Sequence, residues 1–444
     1  MEPKIKSPVA ILGFGVEGKY SLDYLLKKGI KDITVFDEKE PEIPEEMKNS
    51  ADFRTGEKTF EGLDEFATII RSPGVQYDRP EIRQAKEGGA TITSMTELTL
   101  QIGRERVTAI TGSNGKTTTT GLIAAILKKH YKEKVIVGGN DRTPILGEAI
   151  ERPKEPIVME VSSFQFADLE ISPHISAILN ITPNHMDWHA DLEDYIHAKN
   201  NLIKHQKSDD WAVLNANNEN SARLSNQAPG RIFWINKKRG ESWAIWENDN
   251  IVINNTPIAK KSDVKVKTHP DNILFAAAIA TLHEVPFKTI VETLLEFPGV
   301  EHRLEFVREI RNIRFYNDSA CTTPESAEVA IDQFPEGNLI LLLGGSTKHA
   351  DFNYLANKIQ KKNVRVYLYG NEGEKIKFAL ESIGAENAII GYDETRDFKT
   401  IIQSTLNEAI PEDNIVLSPA CASFDMFKNA KERGKLFKEI VMGL

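Results

Sequence analysis

Val107-Thr108-Ala109-Ile110-Thr111-Gly112-Ser113-Asn114-Gly115-Lys116-Thr117 is the stretch that decides the fold. Its apolar, β-branched start predicts a buried strand, its Gly/Ser/Asn centre a tight loop, and the apolar periodicity beyond it a helix. A strand–loop–helix unit of this kind turns backbone N–H groups toward one point, with the helix N-terminus behind them, and so forms an anion cradle. Lys116 adds a point charge for outer phosphates, and the Thr117 hydroxyl can ligate Mg²⁺. The generic phosphate-loop pattern has a glycine where Ile110 stands, so the first glycine is displaced. The plainer reading is a strand–helix turn carrying an exposed lysine. Ser113, Asn114 and the four successive threonines from Thr117 favour phosphate.

Working outward, the chain repeats this alternation. Val9–Leu12 reads as a strand, Gly13-Phe14-Gly15-Val16-Glu17-Gly18 as a glycine turn, and Leu22, Leu25 and Leu26 as the apolar face of a helix. A second strand, Ile33–Phe36, ends at Asp37. The spacing is a dinucleotide fingerprint, and the same turn binds other diphosphates. Ile69-Ile70 leads into Arg71-Ser72-Pro73-Gly74. Downstream, strands are expected at Val135–Val137, Ile157–Glu160, Ala177–Leu179 and Ala212–Leu214, with Ile232–Ile235 and Ile251–Ile253 as shorter antiparallel pieces. An Ala-rich helix, Ile273–Leu282, closes this part, and Phe297-Pro298-Gly299 marks a boundary. Strands then follow at Ile313–Tyr316, Leu339–Leu343, Val364–Leu368 and Ile415–Leu417. The expected class is α/β in three domains: a Rossmann-like unit over 1–98, a P-loop-type ATPase unit over 99–298 and a second Rossmann-like unit over 299–444.

Composition bounds the rest. The 444 residues allow about three domains. A net charge of −10 argues against nucleic-acid binding, which needs basic faces. The two cysteines, Cys321 and Cys421, make no disulfide framework and fit a reducing compartment. No leader pattern and no apolar run long enough for a bilayer is visible, so a cytoplasmic protein without membrane contact, and a monomer, is expected.

Ordered motifs then carry a resemblance. They are the loop at Thr111–Thr117, Gly138-Gly139-Asn140, Glu160-Val161-Ser162-Ser163-Phe164-Gln165, Asn180-Ile181-Thr182-Pro183-Asn184-His185-Met186-Asp187, and Lys199, 14 residues after His185. His302-Arg303, Asn317-Asp318-Ser319, Gly344-Gly345, Lys348, Leu417–Ser423 and Arg433-Gly434 follow. Over nearly its whole length the chain resembles the Mur ligase family. That resemblance implies an ATP-dependent ligase that phosphorylates the alanyl carboxylate of UDP-N-acetylmuramoyl-L-alanine and joins the acyl phosphate to glutamate, in peptidoglycan precursor synthesis.

The resemblance also implies roles. Gly112, Ser113, Asn114, Gly115, Lys116, Thr117 and Thr118 would hold the ATP phosphates, Asn272 the adenine, Arg303 a phosphate and Asp318 the ribose. Thr117, Glu160, His185 and Lys199 would serve two Mg²⁺ ions, with Lys199 carbamylated by CO₂. Lys116, Glu160, His185, Lys199 and Lys348 form the catalytic set. Val16, Glu17, Asp37, Lys39, Ser72, Pro73 and Gly74 would bind the UDP end, and Asn140, Ser162 and His185 the muramoyl-alanyl end. Thr322, Lys348, Ser423 and Phe424 would bind the amino acid.

The sequence departs from the family pattern at Ala320, where a lysine is usual, at Ala430, where an aromatic is frequent, and at Asn184, where an acid often precedes the histidine. D-glutamate ranks first as co-substrate and L-glutamate second. An NAD(P) oxidoreductase built on the first glycine turn and a non-catalytic nucleotide-sugar binder are the readings from other classes.

Overall fold

The computed structural model describes residues 3–56, 59–139, 144–186, 188–264, 266–346, 350–393 and 396–444. Two compact units emerge, Met1–Asp263 with Asp271–Thr293, and Val264–Pro270 with Leu294–Leu444.

The first unit holds two sheets. One comprises β1 (Val9–Leu12), β2 (Ile33–Asp37), β3 (Asp52–Thr55), β4 (Thr68–Arg71) and β5 (Thr91–Thr93), all parallel, in the order β3-β2-β1-β4-β5. Val9, Ile11, Val35 and Ile70 pack into one apolar cluster, and Ala10, Leu12, Phe36 and Ile69 into another. Period-two alternation thus buries both faces, as a parallel sheet covered by helices requires. Strand order reverses between β1 and β4, so a crevice opens beyond their carboxyl ends. The glycine turn and Ser72-Pro73 border it, and the Ser72 hydroxyl donates to the Gly13 carbonyl at 2.9 Å.

The other sheet comprises β6 (Val107–Thr111), β7 (Ile136–Gly139), β8 (Ile157–Glu160), β9 (Ile175–Ile178), β10 (Trp211–Asn215), β11 (Arg231–Ile235), β12 (Ser242–Glu247), β13 (Asn250–Ile253) and β14 (Thr256–Lys260). Its order is β14-β13-β12-β11-β10-β9-β6-β8-β7. Here one expectation is corrected: β11 lies parallel to both β10 and β12, and antiparallel pairing begins only at β12–β13. A short helix, Glu219–Arg223, follows β10, so the chain crosses over and returns in the same direction instead of folding back as a hairpin. β6 lies between β9 and β8, which puts the loop after it at a second reversal of strand order.

The second unit holds β15 (Glu305–Ile310), β16 (Ile313–Asn317), β17 (Leu339–Gly344), β18 (Arg365–Tyr369), β19 (Ile389–Asp393) and β20 (Asn414–Leu417), in the order β15-β16-β20-β17-β18-β19. Only β15 pairs antiparallel. No helix among the described residues is long and apolar enough to cross a membrane.

One glycine fixes the first turn. A Cβ on Gly18 would sit far inside van der Waals contact of the Gly13 carbonyl oxygen. The helix Val16–Lys27 therefore packs on β1 only because position 18 lacks a side chain. Gly18→Ala should cost about 2–3 kcal/mol in urea-induced unfolding, because backbone must shift to admit the methyl group.

Candidate functional site

The loop after β6 is held from behind by side chains. Asn180 forms a reciprocal pair with Asn114: its Oδ1 accepts from the Asn114 N–H at 2.9 Å, and its Nδ2 donates to the Asn114 carbonyl at 3.0 Å. The Ser113 hydroxyl donates to the Thr182 carbonyl, accepts from the Thr182 N–H, and lies 3.1 Å from the Tyr195 hydroxyl. Lys116 opens the helix Lys116–Tyr131 and folds back so that its Nζ donates to the carbonyls of Gly112 and Ser113. Gly115 has φ +86°, and a Cβ there would collide with the Asn272 amide. Glycine is thus required twice, for its backbone angle and for the approach of Asn272. Thr117 and Thr118 occupy the first turn of the same helix.

The neighbouring strand ends add the remaining groups. Glu160 is buried at the end of β8, in register with Ile110 of β6 and Gly139 of β7. Gly139 has φ +108°, and a Cβ would clash with the Glu160 carbonyl. Ser162 caps the short helix Ser163–Phe166, its N–H donating to Gln165 Oε1 at 3.0 Å. His185 adopts φ +59°, and its ring lies 4.9 Å from that of Phe164. A left-handed backbone at a non-glycine residue is strained and persists only where packing enforces it.

Lys199 is 2% exposed. Its Nζ donates to Thr111 Oγ1 at 3.0 Å and lies 4.5 Å from the centroid of the Tyr195 ring. Burial first, and the Lys116 charge second, hold its ammonium well below the usual lysine range. Burial of this kind disfavours the cation and favours the neutral, nucleophilic amine. Tyr195 joins the group together, touching Ser113 through its hydroxyl and Lys199 and His185 through its ring. Burial pushes its phenol up to about 12.

A hydrogen-bonded chain that sequence reading did not assign ties these pieces. Ser163 Oγ meets His189 Nε2 at 2.9 Å, and His189 Nδ1 meets Asp194 Oδ2 at 2.9 Å. The His189 N–H also donates to the His185 carbonyl. The chain thus joins the β8 exit, the turn bearing His185, and the helix Leu192–Lys204 that carries Lys199. Ser163 and His189 are buried, so this is a brace and not an exposed nucleophile. Asn180, Thr182 and Ser163 lie in the quoted motifs, and Tyr195 lies one helical turn before Lys199. Their bracing roles leave no signature beyond residue type, because they act through contacts far apart in sequence.

In the first sheet, Asp37 accepts from the N–H groups of Phe14 at 2.7 Å and Lys39 at 3.0 Å, so its carboxylate fixes the glycine turn. Val16 is exposed, and Val16, Glu17 and Pro73 line one cavity. Gly74 follows in the loop that borders the same crevice. Arg71, 1% exposed, donates to Asp168 through Nε and Nη2 and to the Phe164 carbonyl, bonding the first sheet to the second.

In the second unit, Asp318, Gly344-Gly345 and Ser418–Ser423 emerge from the carboxyl ends of the adjacent strands β16, β17 and β20. Asp318 accepts from the Ser418 hydroxyl at 2.8 Å and the Leu304 N–H at 3.2 Å. Burial raises its carboxyl to about 6 against the pull of Arg303. Arg303 donates to the Ala320 carbonyl at 3.4 Å. The fully buried Arg433 donates to Ser319 and to the carbonyls of Cys421 and Ala422, holding two of these exits in place. Thr322 is half-buried, Ser423 buried and Phe424 exposed, with the Phe424 N–H on Ser346 Oγ. Both cysteines are free and buried. Glu301, His302 and Glu305 form an acidic cluster, but Lys438 already bridges the two carboxylates. Asn140 and Lys348 lie outside the described residues.

Three family models match in sequence order: the MurD-like N-terminal domain over residues 7–94, the Mur ligase middle domain over 110–277, and the Mur ligase glutamate ligase domain over 302–421. A curated relative from Clostridium kluyveri, named UDP-N-acetylmuramoylalanine--D-glutamate ligase, is 37% identical, covering 98% of this chain and 96% of its own. The chain belongs to the Mur ligase family. A relative of the same name from Clostridium perfringens is 34% identical over the same shares. Among solved structures, the Mur ligase fold recurs in the UDP-N-acetylmuramate-alanine ligase MurC of Thermotoga maritima, with TM-score 0.60 and 19% identity, covering 98% of this chain and 99% of that one. It recurs too in the MurF ligase of Thermotoga maritima in complex with ADP, with TM-score 0.59 and 17% identity, covering 99% and 96%.

The burial of Lys199 makes a stability prediction. Its folded pKa is depressed, so the folded state holds this proton less tightly than the unfolded lysine does. That cost is absent above the unfolded pKa and grows as pH falls toward the folded one. In CO₂-depleted buffer at neutral pH, Lys199→Met should be more stable than the parent by about 1–3 kcal/mol in denaturant melts. The gap should close as pH approaches about 10.

Proposed function

We propose that this chain joins D-glutamate to UDP-N-acetylmuramoyl-L-alanine at the expense of ATP, through an acyl phosphate. The observation that carries the reading is the gathering of a braced phosphate loop, a buried carboxylate and a buried lysine around the ends of β6 and β8. The likeness to ligases of that name runs the full length of the chain and ranks D-glutamate ahead of L-glutamate. An oxidoreductase does not account for that likeness, and the presence of Lys116, Glu160, His185 and Lys199 argues against a non-catalytic binder.

In this reading the alanyl carboxylate attacks the γ-phosphorus of ATP, and ADP departs. The neutral amine of glutamate then adds to the acyl phosphate carbonyl, and the tetrahedral intermediate expels phosphate as the amide forms. Most of the catalysis is positioning and charge neutralisation. Loop N–H groups and Lys116 receive the β- and γ-phosphates. The hydroxyl of Thr117 and the carboxylate of Glu160 are hard oxygen donors of the kind Mg²⁺ prefers. Mg²⁺ bound there would neutralise charge developing on the phosphoryl oxygens. Lys199 fits carbamylation because burial favours its uncharged form: that amine adds to CO₂, releases a proton and becomes a carboxylate-like ligand. His185 completes that set. Asn272 is assigned to adenine, Arg303 and Asp318 to the nucleotide, and Thr322, Lys348, Ser423 and Phe424 to glutamate. The crevice of the first sheet takes UDP, and Asn140 and Ser162 the muramoyl-alanyl group. A monomer in the cytoplasm belongs to the same reading.

Phosphate release with UDP-N-acetylmuramoyl-L-alanine, MgATP and each glutamate enantiomer tests it. D-glutamate should support turnover and L-glutamate at most a small fraction of it. Turnover with neither enantiomer would defeat the proposal. Lys116→Ala and Lys199→Ala should each lower kcat by about 10²–10⁴. An unchanged rate for Lys116→Ala would remove the phosphate role.

A further inference from the structure

Between the glycine turn of the first sheet and the exits of the second lies a cavity of about 210 Å³. Its described lining is apolar or neutral, with Val16, Met159, Thr96, Thr99 and Gln165 among it, except for one acid, Glu17. That carboxyl accepts a hydrogen bond from the Met95 backbone. Its Oε1 is buried and has no partner. Arg71 on β4 is the charge of opposite sign that acts on it, but this guanidinium is bonded to Asp168. The lining from the helix Met95–Gly103 and from the second sheet carries no charge among the described residues.

An acid in such a place invites explanation. A carboxylate left without water or a counter-charge is costly, and the proton-bearing form is not. Desolvation accordingly raises Glu17 to about 7. Glu17 is also the second residue of the helix whose N-terminus, with the glycine turn, is assigned to the diphosphate. A carboxylate there would repel that ligand, whereas a carboxylic acid would give it a donor.

We propose that Glu17 acts as an uncharged carboxylic acid, donating its proton in a hydrogen bond to a diphosphate oxygen of the nucleotide-sugar substrate. This rests on the UDP-muramoyl reading of the site. The approaching oxyanion raises the acid's pKa further, so the bound complex holds a proton that the free protein begins to lose above neutrality. Affinity for the nucleotide-sugar is then flat in acid and falls as pH rises through about 7, by up to tenfold per pH unit.

Calorimetric titration of the full chain with UDP-N-acetylmuramoyl-L-alanine, in buffers of different ionisation enthalpy, reads this directly. Near pH 8 the parent should take up close to one proton on binding, and Kd should climb with pH. Glu17→Gln keeps a neutral donor, so it should bind with no uptake and a nearly level Kd. Glu17→Ala should bind more weakly, also without pH dependence. Tight binding by the parent with no proton uptake would overturn the role of Glu17 and leave the substrate reading intact. Uptake unchanged in Glu17→Gln would overturn it equally. Absence of binding to the parent would remove the substrate reading and this inference together.

Discussion

A loop that receives phosphate works best when its shape is fixed before the ligand arrives, and here the N–H groups of Ser113 and Asn114 are themselves committed to Asn180. In this chain the holding is done from behind. Asn180 grips Asn114 through both ends of its amide, and Ser113 is shared among Thr182 and Tyr195. The bracing residues come from the segment after β9 and from the helix Leu192–Lys204, so the loop is shaped by the packed sheet. Preorganisation of this kind lets binding energy go into the transition state and not into ordering the loop. The other groups of the site depend on the same frame, because Tyr195 also backs Lys199 and faces His185.

The site also stores unfavourable choices. Lys199 is buried where its charged form is disfavoured, His185 has a left-handed backbone, and Glu17 has an unpartnered oxygen. Each is destabilising alone and persists because the surroundings fix it: Thr111 and Tyr195 for the lysine, the His189 chain for the turn, the cavity walls for the acid. Such departures from the comfortable arrangement concentrate where function is built.

Much of this was legible in the sequence, and the reasons are specific. Strands such as Val107–Thr111 and Leu339–Gly344 are short β-branched or apolar runs leading into glycine, and they are buried along their whole length, as a doubly covered parallel sheet requires. The glycine turn and the phosphate loop announce themselves because backbone geometry demands glycine at positions such as 18 and 115. Short edge strands were missed: Asp52–Thr55 is mostly exposed and has no apolar run to reveal it. The direction of β11 was misjudged because parallel and antiparallel strands share one local pattern, and the crossover alone distinguishes them. The Ser163–His189–Asp194 chain and the Arg433 brace were invisible for a related reason. Their partners are joined by folding, and nothing in local spacing records which distant carbonyl or ring a side chain will meet.

What unites these features is a demand from chemistry: an anionic carboxylate must be brought against a polyphosphate and emerge as an acyl phosphate. Transfer of label from UDP-N-acetylmuramoyl-L-alanine carrying oxygen-18 in its alanyl carboxylate tests this most directly, by mass spectrometry of the phosphate released during turnover with D-glutamate. The account predicts one labelled oxygen in each phosphate released. Unlabelled phosphate formed in step with the amide would contradict it.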